Sequence, residues 1–227
     1  MWYKIQLFFG KTLIYMTEFI IRLFIKNEVI INKDRFAWIK NIEANFDSIQ
    51  KEFLEVYGND TALLDVTDFS EEQKQVVNAN QWSVFLFRIY NTEIKENAIR
   101  CPVTYNCIQQ IPDCTTAFFS IMKPDTEVAA HRGAYKGYLR YHLGIKVPPD
   151  NTQCGLVFNN QSYHWKEKES VIFDDTFQHS VFNRSNTARA VLYIDFIRPM
   201  PFFLVWFSRL LTRSINQSLY VQNMRLR

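Results

Sequence analysis

This sequence predicts a mainly β protein: a sandwich or barrel of the jelly-roll or cupin type, with a double-stranded β-helix core, N-terminal helices and a C-terminal apolar helix. Three observations carry that expectation. From residue 117 onward, short apolar runs alternate with turn signals at the spacing of strands that wrap around a core. Ahead of them, residues 34–57 follow helical periodicity. Both ends of the 227-residue chain are apolar and basic. The resulting organisation is an apolar amphipathic helix over 1–30, one domain over 31–200 and an apolar, basic helix over 201–227. Within the domain, a helical part spans 31–80 and the core spans about 81–200.

The opening stretch, MWYKIQLFFGKTLIYMTEFIIRLFIK, is apolar but interrupted by charge. On a helix Lys4, Lys11, Glu18 and Arg22 share a narrow stripe, and the rest of the circumference is apolar. A spanning helix wants about 20 residues with few or no charges. A broad apolar face beside a thin charged stripe instead suits a helix lying in the membrane interface, and the alternative for both ends is packing against the domain as core helices. No cleavable leader is expected, because Lys11 breaks the apolar run and no small-residue cleavage site follows. Residues 34–57 place Ile39, Ile42, Phe46, Ile49, Phe53 and Val56 at steps of three and four, and Gly58 supplies a stop. A polar stretch leads to WSVFLFRIY, which reads as a strand. The strand runs that follow are AFFSIM, YLRYHLGIKV, CGLVFN, ESVIFDD, HSVFN and ARAVLYIDFI. In the last segment Pro201 can open a helix whose run PFFLVWF is apolar and whose Arg209 and Arg213 share a face.

Composition narrows the function classes. With 48% apolar and 22% charged residues the chain is a folded globular protein. Six glycines form neither GxGxxG nor a Walker-type run. The net charge of +3 is uneven: residues 1–26 carry +3 and residues 198–227 carry +5, leaving the middle about five negative. A nucleic-acid binder presents a basic surface on its body, so no nucleic-acid partner is expected. Cys101, Cys107, Cys114 and Cys154 form no CxxC motif; reduced thiols are expected, although Cys101 and Cys107 could pair.

All four histidines, His131, His142, His164 and His179, fall within about fifty residues, a clustering that suggests a metal. Redox-active mononuclear iron usually wants two His and one acid, yet no Asp or Glu occurs between Glu127 and Asp150. Asp174 and Asp175 either supply the acid, shape a turn or orient a histidine. Strand alternation puts Arg140, His142 and Gly144 on one face, and Arg189, Val191, Tyr193 and Asp195 on another. Buried Arg or His is expensive unless partnered, so these residues either face solvent or line a cavity containing an anion. His131 just precedes a strand and His179 begins one, at the rim where ligands converge.

The runs SIMKPDTEVAAHRGAYKGYLRYHLGIKVP and VIFDDTFQHSVFNRSNTARAVLYIDFIRP, with a Trp between them, resemble the aspartyl/asparaginyl β-hydroxylase family of Fe(II)- and 2-oxoglutarate-dependent dioxygenases, which includes lipid A 2-hydroxylases. The resemblance covers about residues 80–200 and rests on HxG followed by LRYHLG, on FDDxxxH, and on an Arg ten residues beyond that His. It implies a metal held by His131 and His179 alone, with Gly133 where related motifs carry an acid and water completing the coordination. It implies that Arg189 pairs with the distal carboxylate of 2-oxoglutarate, a bidentate contact suited to a planar fork. Ser120 is implied as its hydroxyl helper, His142 as the contact to the other carboxylate, Arg140 as a cation on the substrate side and Trp82 as an aromatic wall. His164 matches nothing functional and is expected at the surface. The implied reaction consumes O₂ and 2-oxoglutarate to hydroxylate an unactivated C–H bond. The apolar, basic ends favour a membrane-lipid acyl chain as acceptor, at the cytoplasmic face of a membrane. The alternatives are an Asp or Asn residue of a polypeptide, or a jelly-roll binding module without catalysis. The sequence departs from the family at Lys168, where a hairpin Gly is usual. Its first hundred residues also lack the long luminal region of the animal peptide hydroxylases.

Overall fold

Helical periodicity gives way to strand alternation along the chain. The structure, a computed structural model, describes residues 14–58, 63–68 and 73–216. Helix α1 covers residues 14–24. It is followed by β1 (Ile30–Ile31), α2 (Trp38–Ala44), α3 (Phe46–Gly58) and β2 (Leu64–Asp65). Then come β3 (Trp82–Ile89), β4 (Thr92–Glu93), α4 (Lys95–Arg100) and α5 (Pro102–Gln109). The remaining strands are β5 (Cys114–Met122), β6 (Thr126–His131), β7 (Tyr138–Lys146), β8 (Cys154–Phe158), β9 (Gln161–Tyr163), β10 (Ser170–Phe173), β11 (His179–Asn183) and β12 (Arg189–Ile197), with α6 (Phe202–Asn216) last. The strands form two antiparallel sheets. The larger runs β1-β10-β7-β12-β5-β3-β2 with β4 beside β3, and the smaller runs β6-β11-β8-β9. This is a mainly β jelly-roll architecture, with helices at the N-terminal side and one at the C-terminus.

Alternation assigns the two faces of the large sheet. One face carries Phe119 and Ile121 of β5, Leu139 and Tyr141 of β7, and Leu192 and Ile194 of β12, all packed on the helical layer. The other carries Phe118 and Met122 of β5 with Val191 and Tyr193 of β12, and meets Val128, Leu156 and Phe158 of the small sheet. Strands buried on both faces read as continuous apolar runs. WSVFLFRIY is one: Phe85 and Phe87 face the helices, whereas Val84 and Leu86 face the small sheet.

The helix expected over 34–57 is two helices in place of one. All six periodic apolar residues are buried as expected, but the chain leaves helical geometry at Asn45, with φ −94° and ψ 12°. The Asn45 side-chain amide donates to the Asn41 carbonyl at 2.8 Å. It thereby competes locally with the helix ladder. From α3, the Glu52 carboxylate accepts the Val103 N–H at 2.7 Å, the Thr104 N–H at 2.9 Å and the Thr104 hydroxyl at 2.6 Å. It caps the first turn of α5, where Pro102 occupies a position needing no donor. All four cysteines are free and buried.

Candidate active site

β6 ends where β11 begins, and antiparallel pairing sets His179 directly opposite His131. Their ring centroids are 4.4 Å apart. Each ring turns Nδ1 toward the carbonyl two residues back, His131 to Ala129 and His179 to Phe177, both at 2.8 Å. A carbonyl only accepts, so each Nδ1 carries the proton and each Nε2 keeps the lone pair, the tautomer that a metal ligand needs. Burial, reinforced by the neighbouring His131, pushes His179 down to about 3. It is therefore neutral at physiological pH. A divalent metal fits this donor pair. Among the described residues no group of three or more His, Cys, Asp or Glu is gathered to hold an ion.

The two aspartates of the FDD run have separate tasks. Asp174 is fully buried and accepts from Lys136 Nζ at 2.6 Å, from Arg198 and from the Thr176 hydroxyl at 2.5 Å. It is the anion of a structural ion cluster beneath the loop after β6. Asp175 pairs with Arg140 at 2.8 Å. Burial raises the Asp175 carboxyl above the usual range, against the lowering effect of Arg140. A Cβ on Gly133 would overlap this carboxylate. Gly133 thus leaves room that is taken by Asp175, where the family resemblance implies room for water. Arg140 also binds Asp195 at 2.9 and 3.1 Å, and its guanidinium lies 4.5 Å over the Tyr193 ring. Its charge is matched twice, so it faces the cavity as part of a network.

Deeper between the sheets the accounting reverses. Arg189 is 2% exposed. Its guanidinium sits 4.4 Å over Trp165, reaches the Ser120 carbonyl only at 3.5 Å and abuts Met122 Sδ. No described carboxylate pairs with it, and its Nε has no partner. Burial lowers Arg189 to about 10, which leaves it charged near neutrality. His142 is also buried and both its ring nitrogens lack partners, as does Trp165 Nε1. Rings of Phe173, Tyr193 and Trp165 pack around His142 at 5.0, 5.1 and 5.9 Å. Desolvation, with Arg140 and Arg189 nearby, holds it well below the usual imidazole range and neutral. Buried donors without acceptors cost several kcal/mol, roughly 1–3 each, more for a charge. The arrangement suits a small dianion, and 2-oxoglutarate fits it. Ser120 Oγ accepts from Trp82 Nε1 at 3.0 Å, which leaves its own proton to donate.

A cavity of about 400 Å³ opens beside this buried group, lined by Trp82, Phe118, His131, Arg140 and Tyr193 among others. Phe118 and Tyr193 stack at 4.1 Å. Tyr193 both lines the cavity and touches His142. Of the residues singled out from sequence, His131, Trp82 and Arg140 face the cavity; His179, Ser120, His142 and Arg189 lie in the interior next to it. His164, expected at the surface, is half-buried with Nδ1 against the Cys154 carbonyl at 2.9 Å. Trp165 is the Trp that the resemblance includes, but its contact to Arg189 was not foreseen, and the Phe118 ring carried no sequence signal beyond being an apolar residue near the motifs.

Residues 43–199 match the family model described as aspartyl/asparaginyl beta-hydroxylase. The chain is similar to the ornithine lipid ester-linked acyl 2-hydroxylase of Rhizobium tropici, 34% identical over 174 residues, 77% of this chain and 62% of that protein. It is similar to human aspartyl/asparaginyl beta-hydroxylase, 29% identical over 167 residues, 71% of this chain and 21% of that protein. It thus spans under two thirds of the length of either relative. Among solved structures, the cupin domain of an XRE-family transcriptional regulator from Enterobacter cloacae is 12% identical with a TM-score of 0.32, covering 37% of this chain and 82% of that one.

Proposed function

The chain belongs to the aspartyl/asparaginyl beta-hydroxylase family, and from that premise we propose that it is an Fe(II)- and 2-oxoglutarate-dependent dioxygenase acting on the acyl chain of a membrane lipid. The observation that carries the co-substrate is Arg189, a buried guanidinium that no carboxylate among the described residues meets. When bound, iron with 2-oxoglutarate and O₂ supplies the oxidising power that replaces C–H by C–OH and yields succinate and CO₂. The rest is positioning by the protein. His131 and His179 hold the metal through Nε2. Arg189 takes the distal carboxylate in a bidentate contact, the Ser120 hydroxyl adds a donor, and neutral His142 donates to the other carboxylate. Trp82, Phe118 and Tyr193 wall the cavity with rings and keep water from the reacting carbon.

The acceptor reading rests on the cavity and on what surrounds it. Both arginines that line it are already paired, Arg132 with Glu18 at 3.1 Å and Arg140 with two aspartates. Among the described residues it therefore offers no unmatched Arg or Lys to an aspartyl side chain. Apolar residues of α1 and α6 complete its wall. The relative from Rhizobium tropici is named for a lipid acyl chain, which supports the same choice. The human relative supports the alternative, β-hydroxylation of Asp or Asn in a polypeptide. We place the enzyme at a membrane surface on the cytoplasmic face, a compartment compatible with four free thiols. No helix among the described residues is long and apolar enough to cross a membrane. The test compares lipid and peptide fractions of a cell extract treated with the enzyme or with its His131→Ala variant, searched by mass spectrometry for products gaining one oxygen. Gain in the lipid fraction with the active enzyme alone is expected. Gain confined to peptides would overturn the acceptor, and no gain with no succinate release would favour a binding module.

A further inference from the structure

The two terminal helices are amphipathic in the reverse of the usual sense. In α1 the residues turned inward are Thr17, Glu18 and Ile21. Glu18 is pinned there, accepting from the Arg132 guanidinium at 3.1 and 3.2 Å and from the Lys136 N–H at 3.2 Å. In α6 the inward residues are Leu204, Ser208 and Thr212. Ser208 Oγ meets the Tyr135 hydroxyl at 2.9 Å, and Thr212 Oγ meets the Tyr138 hydroxyl at 2.7 Å. Ile21 and Leu204 share that inner side and pack together with Tyr135, but with polar side chains taking the rest of it, many of the remaining apolar residues are left outside. Tyr15, Phe19 and Leu23 of α1 and Phe203, Trp206 and Leu210 of α6 are exposed. Scattered exposed apolar residues are ordinary, but a contiguous patch marks an interaction surface. This one is contiguous, because Phe24 meets Phe203 edge-on at 5.7 Å and joins the two helices.

What covers the patch is indicated by its charge. Arg22 and Arg213 are exposed and have no carboxylate within ion-pair distance among the described residues. α6 contains no acid. A second copy laid on this face would bring like charges together, whereas anionic headgroups would neutralise them. The face also continues into the cavity, whose wall includes Ile14 of α1 and Leu211 and Ile215 of α6. We propose that the joined α1/α6 face docks on an anionic lipid bilayer and that the cavity receives its acyl chain directly from that bilayer, along the two helices. The second half rests on the lipid-acceptor reading above.

The experiment measures co-sedimentation of the full chain with vesicles of phosphatidylglycerol and phosphatidylcholine, and with phosphatidylcholine alone. Quenching of tryptophan emission by brominated acyl chains is read in parallel. Wild type is expected to bind the anionic vesicles and to be quenched, and Trp206→Phe is expected to lose most of the quenching. The double variant Phe19→Ser/Trp206→Ser is expected to bind at least about tenfold more weakly. Arg22→Gln and Arg213→Gln should each weaken binding to anionic vesicles by about fivefold. Thermal melting and acceptor-independent succinate release should stay at wild-type values in the surface variants. Equal vesicle binding by wild type and the double variant overturns the proposal. So does a dimer, seen by light scattering, that the double variant dissociates. Vesicle docking with only peptide products would leave the docking face standing and overturn the acceptor; lipid hydroxylation in micelles without vesicle docking would do the reverse.

Discussion

Single residues decide the chemistry of this site, and some of them could be read in the sequence. Alternation placed Arg189 with Tyr193 and His142 with Arg140 on shared faces. It left open whether those faces met solvent or a cavity, because a period of two says which residues share a side and not which side is buried. Burial of Arg189 with no acid partner among the described residues answers that question. Asp175 could not be placed from sequence, since its contact with Gly133 joins two loops about forty residues apart. Lys168 is a residue that the sequence did flag. It stands where the family resemblance implies Gly, and its φ is 68°, in the left-handed region. Its ammonium lies 3.6 Å from Asp47, but both groups are largely exposed, so the pair contributes little. Lys168→Gly is therefore expected to stabilise the fold by about 0.5–1 kcal/mol. A urea midpoint that falls or stays put would contradict the claim that backbone strain is the larger effect.

Elements were legible where burial follows a simple period, and less so where side chains intervene. The expected runs correspond to β3, β5, β7, β8, β10, β11 and β12, each bounded by turn residues, whereas β4, β6 and β9 were not expected and His131, expected just before a strand, ends β6. The helix over 34–57 broke at Asn45 because a polar side chain bonded back to its own helix, which apolar periodicity does not register. Helix α1 was expected to carry Lys4, Lys11, Glu18 and Arg22 on one thin stripe; within that stripe Glu18 is buried by Arg132 and Lys136 while Arg22 is exposed. Lys4 and Lys11 of that stripe lie outside the described residues. The capping of α5 by Glu52 is a contact between two helices and had no sequence signature. Glu52→Ala is expected to cost about 1–2 kcal/mol by leaving the Val103 and Thr104 donors without an acceptor. An unchanged unfolding midpoint with an unchanged m-value would show that solvent replaces the cap at no cost.

At the scale of the molecule, two sheets and two terminal helices converge on one cavity. The small sheet contributes His131 and His179, and the large sheet contributes Ser120, His142 and Arg189. The proposed metal pair and the proposed anion site thus come from different sheets. Part of the uneven charge seen in the sequence takes on a spatial meaning: Arg22 and Arg213 are exposed on the two helices that carry the apolar face, beside the cavity wall. The central claim is that a pair of imidazoles binds iron while a buried guanidinium holds the keto-acid. Its most direct test is anaerobic titration of the purified protein with Fe(II) in the presence of 2-oxoglutarate, read by the visible charge-transfer absorption of the ternary complex. The band is expected to saturate at one iron per chain in wild type, to be absent in His131→Ala and in His179→Ala, and to require much higher 2-oxoglutarate in Arg189→Ala. A wild-type band that survives loss of either histidine, or an Arg189→Ala variant that saturates at the wild-type concentration, would contradict it.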